Sequence, residues 1–177
     1  MAVLPLVIAP DPVLKKKAQA IDVVDDAVRS FMDDMLDTMY EAQGIGLAAN
    51  QVGDLRRILV MDVAQKEDED APKEPIVMAN PKITWSSEEL NVYQEGCLSI
   101  PDQYADVERP AEVKVTFLDR DGVEQSVHAD GILATCIQHE IDHLNGILFT
   151  DHISALKRNM MLKKSLKIKK ARAADLE

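Results

Sequence analysis

Apolar residues return every three or four positions after Asp25: Val28, Phe31, Met32, Met35, Leu36 and Met39 form one stripe. This period predicts an amphipathic helix that packs its methionines into the core. Asp25 and Asp26 sit at its positive end, and Gly44 stops it. Asp11-Pro12 reads as an N-cap and first-turn proline, opening a short helix to about Ala18. Residues 57–63 are an apolar run that predicts a strand. Further short strands are predicted over 76–83, 84–92, 112–119 and 123–129. Asp119-Arg120-Asp121-Gly122 carries the Asp-Gly signature of a hairpin turn between the last two. Residues 131–144 predict a strong helix ending at Asn145-Gly146, and Ser154 predicts the cap of a last helix running towards Ala173. The pattern is that of an α+β fold: short, mostly antiparallel strands around a central helix, followed by a C-terminal helix.

Length and composition narrow the class. At 177 residues one domain is the default, and 46% hydrophobic residues supply a core. Aromatics at 4% argue against stacking platforms for single-stranded nucleic acid. A net charge of −11 argues against whole-surface binding to polyanions such as DNA. Two cysteines cannot build a disulfide framework. No apolar stretch is long enough to span a membrane. In residues 2–10 the apolar run precedes its lysines (Lys15, Lys16, Lys17), the reverse of a secretory signal, so a cytoplasmic address is expected. Residues 65–75 are dense in Lys, Glu and Asp with two prolines and read as a solvated, inert loop.

The chemistry concentrates in Gln138-His139-Glu140-Ile141-Asp142-His143. Two histidines four apart share one face of a helix and can reach one divalent cation. Glu140 lies beside them, where a carboxylate can touch a metal-activated water. A working site needs a third ligand and an open position. Cys136 shares the helix, but about 10 Å of helical rise separates it from His143, which makes it an inward packing residue. The zinc-protease extensions fail: Gly146 matches one class, but Phe149 stands where its next histidine belongs, and residues 151–174 contain no Glu. The third ligand then comes from upstream, and Cys97 in Glu95-Gly96-Cys97-Leu98-Ser99 is the best donor. Gly44-Ile45-Gly46-Leu47-Ala48-Ala49-Asn50-Gln51 is a third unusual stretch, whose glycines permit close backbone approaches.

These three stretches, in this order, resemble the three motifs of the peptide deformylases, over about residues 11–151. The resemblance implies a hydrolase that removes the formyl group from N-formylmethionine at the start of nascent bacterial polypeptides. It implies that Cys97, His139 and His143 hold Fe²⁺, with Zn²⁺ or Ni²⁺ able to substitute. A metal-bound water or hydroxide would attack, with Glu140 as general base and then acid. Gln51 and the backbone N–H of Leu98 would stabilise the oxyanion. Gly46 would admit the substrate backbone. Ile45, Ile132 and Cys136 are candidates for a methionine pocket, with core packing as the competing reading. Gln138 and Asp142 are candidates to bond groups behind the ligands.

The last helix is a separate signal. Residues 153–174 hold eight Lys/Arg and no Asp/Glu, so the segment is +8 and the rest of the chain −19. The expected division is a catalytic domain over 1–152 and a basic helix and tail over 153–177. In similar bacterial deformylases such a helix docks on the ribosome near the exit tunnel, which implies the same partner here. The rival readings are a zinc endopeptidase and a non-catalytic ribosome-associated protein with a structural metal.

Overall fold

A computed structural model describes residues 2–176; Met1 and Glu177, the outer ends of the two expected segments, lie outside the described residues. Helix α1 spans Asp26–Glu41, capped by the Asp25 carboxylate, which accepts from Val28 N at 2.9 Å. Strands β1 (Gly46–Ala48), β2 (Ile58–Met61), β3 (Ile76–Ser86), β6 (Val113–Leu118) and β7 (Glu124–Ala129) form one antiparallel sheet in the order β1-β2-β3-β6-β7. Strands β4 (Leu90–Cys97) and β5 (Ile100–Pro110) pair as a separate two-stranded sheet. Helix α2 covers Gly131–Leu144 and helix α3 Ala155–Ala174. The class is α+β, as the sequence predicts.

Side chains alternate across β2 with the period of a strand. Ile58 and Val60 join the core beneath α1, with Met32, Met35 and Met39. Leu59 and Met61 join the core beneath α2, with Ile137, Ile141 and Leu144. Helix α2 is therefore buried on most of its circumference, including every residue from Ala134 to Ile141. Its C-terminal end is held by Arg57, whose Nη1 donates to Leu144 O at 3.0 Å and whose Nη2 donates to Asn145 Oδ1 at 3.1 Å. That places a cation on the negative end of the helix dipole. Gly146 then turns the chain at φ +75°, and a Cβ there would clash with Lys15 O. Both the conformation and the space demand glycine.

A third apolar cluster lies under the β4–β5 hairpin. It includes Ile100, Val107, Leu148 and Phe149, packed against Met161 and Leu162 of α3. Ser165 of α3 is fully buried and accepts from Gln103 Nε2 of β5 at 3.0 Å. The basic helix is thus seated on the body through one face. Its other face leaves Lys157, Lys163, Lys164, Lys167 and Lys170 exposed.

Four elements differ from expectation. The helix expected over 11–18 is a single 3-10 turn, Pro12–Lys15. Only Leu14 within it is buried, so nothing apolar rewards a second turn. The break between strands expected at 83/84 falls instead between Ser86 and Leu90, where Ser87 Oγ donates to Glu89 O. Strand β5 was not expected, because it starts Ile100-Pro101 and ends at Pro110. Strand β1 was not expected because three residues carry too little pattern.

Candidate metal centre and its cavity

Helix α2 places His139 and His143 one turn apart, and the end of β4 brings Cys97 to them. Cys97 Sγ lies 3.3 Å from His143 Nε2. One donor atom from each of Cys97, His139 and His143 falls within 4.8 Å of the others. Among the described residues no other group of Cys, His, Asp or Glu converges in this way. Gln51, 1% exposed, sits above the sulfur: its Nε2 donates to Cys97 Sγ at 3.4 Å and to Ser99 Oγ at 3.2 Å. Its Oε1 accepts from Ala48 N at 3.0 Å, which fixes the direction of the amide.

The ligand side chains are braced from behind. Glu95 Oε1 accepts from His139 Nδ1 at 2.8 Å, which leaves the other ring nitrogen for the sulfur side. Arg109 donates to both Glu95 oxygens, from Nε at 2.7 Å and from Nη2 at 3.0 Å. Its Nη1 donates to Asp142 Oδ2 at 2.8 Å, and the same oxygen accepts from His152 Nε2 at 2.8 Å. Arg109 and Glu95 are both buried, and a buried pair of this kind is held by its fork geometry rather than by attraction alone. Burial acts to raise the Glu95 carboxyl, but His139 and Arg109 outweigh it and hold it below the ordinary range. Neither Glu95 nor Arg109 was singled out for this bracing by the sequence. Arg109 lies at an inward position of β5, a strand the sequence does not predict, where a buried charge needs a partner. Of the two polar neighbours expected to bond behind the ligands, Asp142 joins this network. Gln138 bonds backbone instead, donating to Pro110 O and Ala134 O.

Electrostatics around the donors favour a cation. Burial works against a charged His139, but Cys97, Glu95 and Glu140 outweigh it and hold its pKa well above the ordinary value. Burial pushes His143 well below its ordinary value, with His139 and Arg109 adding to the effect, so this imidazole is a neutral donor. Burial likewise pushes the Glu140 carboxyl up to about 7. Glu140 Oε2 is buried without a hydrogen-bond partner among the described residues. A cysteine sulfur, two imidazoles and a carboxyl oxygen without a partner among the described residues make a donor set that suits a divalent transition metal with an open position.

The centre opens into a cavity of about 610 Å³. Ile45, Gly46, Ile132 and Cys136 line it, as do Gln51, Leu98 and Glu140. Cys136 lies outside the three-donor cluster. Its Sγ is 3.7 Å from Ile45 O, and burial pushes its thiol pKa well up. Gly46 is needed for space, since a Cβ there would meet Glu140 Oε1 at 2.5 Å and Cys136 Sγ at 2.9 Å.

The family model for polypeptide deformylase matches residues 3–159. The chain belongs to the polypeptide deformylase family. A peptide deformylase of Brucella suis biovar 1 is 58% identical over 174 residues, covering 98% of each chain. One from Rhizobium meliloti is 55% identical over 174 residues with the same coverage. The crystal structure of the peptide deformylase from Ehrlichia chaffeensis superposes with a TM-score of 0.90 at 40% identity, covering 99% of this chain and 100% of that one. The deformylase family is one of enzymes, and two of the three donors, Cys97 and His139, lie in the wall of a cavity of the kind expected of such a site. No helix among the described residues is long and apolar enough to cross a membrane.

Proposed function

We propose that this protein removes the formyl group from N-formylmethionine at the start of newly made polypeptides and releases formate. The observation that carries the reading is the convergence of Cys97, His139 and His143 at a cavity wall formed by Cys97, His139 and Glu140, whose Oε2 has no hydrogen-bond partner among the described residues. Cys97, His139 and His143 would hold Fe²⁺, and Zn²⁺ or Ni²⁺ suits the same sulfur and nitrogen donors. The ion, when bound, supplies Lewis acidity that lowers the pKa of a water and draws charge from the formyl oxygen.

This chain's own residues do the rest. Glu140 takes a proton as the water oxygen bonds to the formyl carbon, and gives it to the amine nitrogen as the C–N bond breaks. Its position beside the ligands supports the role, and burial suits a carboxyl that must both accept and release a proton near neutral pH. Gln51 Nε2 and the Leu98 N–H donate to the oxygen as it gains negative charge; one such donor is worth about 3 kcal/mol of barrier. Gly46 leaves room for the substrate backbone. Ile45, Ile132 and Cys136 supply an apolar wall for the methionine side chain.

The division into a catalytic body over 1–152 and a basic helix over 153–177 is part of the same reading. The lysines on the free face of α3 would meet ribosomal RNA phosphate near the peptide exit, while the acidic body stays clear. Two cysteines without a disulfide suit the reducing cytoplasm.

Formate release from formyl-Met-Ala-Ser, measured beside a peptide blocked at both ends and cleavable internally, tests the proposal. Formate and a free amine from the first, with the second intact, support it. Internal cleavage supports a zinc endopeptidase instead.

A further inference from the structure

The cavity that holds the proposed reacting centre extends to the last turn of α3. Arg172 lines it, and so does Lys66 from the loop expected to be inert. Neither makes a side-chain hydrogen bond or ion pair with the described residues, and both are exposed at the cavity. The other ionisable groups in the lining are mostly committed. Glu95 is held by Arg109 and His139, while Cys97, His139 and Glu140 belong to the centre. Asp102 is the one further carboxylate in the lining, so the free cations outnumber it. Two cations at one cavity, neither paired among the described residues, stand out in a chain of net charge −11.

A formylated N-terminus carries no charge. Whatever charge the substrate brings to the cavity therefore comes from side chains after the methionine. An extended peptide advances about 3.3 Å per residue, so those side chains are laid along the cavity beyond the reacting carbonyl. A guanidinium presents a planar fork that matches a carboxylate. We propose that Arg172, with Lys66, selects substrates carrying a carboxylate side chain at the second or third residue. The inference rests on the deformylase reading and extends it to the peptide beyond methionine.

The test uses metal-loaded full-length protein and C-terminally amidated peptides, formyl-Met-Xaa-Ala and formyl-Met-Ala-Xaa, with Xaa Glu, Gln or Lys. At low salt the Glu peptide of one series is favoured over its Gln counterpart by about fivefold in kcat/KM, carried by KM, and the Lys peptide is the poorest. The preference collapses towards one in Arg172→Gln/Lys66→Gln and in high salt, and Arg172→Glu reverses it. The Gln peptides keep their rate in every variant. Equal rates for Glu, Gln and Lys, or a preference that survives the double substitution, overturn the inference while leaving the deformylase reading intact. No formate from the Gln peptides overturns that reading and the inference with it.

Discussion

Glu95 Oε1 lies 2.8 Å from His139 Nδ1, and this bond decides which ring nitrogen faces Cys97. The carboxylate is held in turn by two bonds from Arg109. Glu95→Ala therefore loosens a ligand and strands a buried cation. Metal affinity, read by competition with a chelator, should fall about 10–100-fold. Unfolding free energy should fall by about 3 kcal/mol or more in the same variant. Glu95→Gln keeps an acceptor for the imidazole and should lose less affinity than Glu95→Ala.

Gly46 is close enough to the proposed reacting centre for its missing side chain to matter. In Gly46→Ala the new methyl group displaces the Glu140 carboxylate, whose Oε1 it would meet at 2.5 Å. Misplacing a catalytic group by about 1 Å costs on the order of 10²-fold in rate. A fall of that size in kcat, with little change in melting temperature, is expected from steady-state kinetics and thermal unfolding.

Much of this arrangement can be read from the chain. The stripe of α1 and the ligand helix α2 are long and strongly patterned, and α2 has the bounds expected for it, Gly131–Leu144. Strand β5 shows why other parts were hidden. It alternates with period two, but its inward positions include Gln103 and Arg109, which an apolar pattern does not count. Their partners, Ser165 and Glu95, lie 62 and 14 residues away, so the bonds that make them core residues are invisible locally. Lys66 and Arg172 were hidden for the same reason, since only the fold brings a charged loop and the last helical turn to one cavity.

Acid should weaken the contact between the Pro12–Lys15 turn and the 3-10 turn Phe149–His152 that precedes α3. Asp151 pairs with Lys15 and accepts from Leu148 N at 2.9 Å. Burial acts to raise its carboxyl, but these partners outweigh it and hold the pKa below the ordinary value. A lowered carboxylate contributes stability above its unfolded pKa of about 3.9, and the contribution is lost as pH falls through the lower folded value. Asp151→Asn should be less stable than the native chain at pH 7, and the gap should narrow at pH 3. Thermal unfolding at the two pH values checks this.

Helix α3 carries two separable properties. Ending the chain at Ser154 removes Met161 and Leu162 from the cluster with Ile100 and Phe149, and leaves Gln103 without Ser165. The melting temperature should drop by about 5–10 °C. Lys163→Glu/Lys164→Glu/Lys167→Glu alters only the exposed face, so it should keep the melting temperature and lose ribosome co-sedimentation. Unchanged co-sedimentation would contradict the ribosome assignment.

One sulfur and two imidazoles, from segments 46 residues apart at Cys97 and His143, are expected to grip a single ion. Metal content and the thiolate-to-metal charge-transfer band of the Co²⁺-loaded protein test this most directly. One ion per chain is expected, with a band that disappears in Cys97→Ala and weak binding in His143→Ala. A protein that binds no ion, or a band that persists without Cys97, would contradict the account.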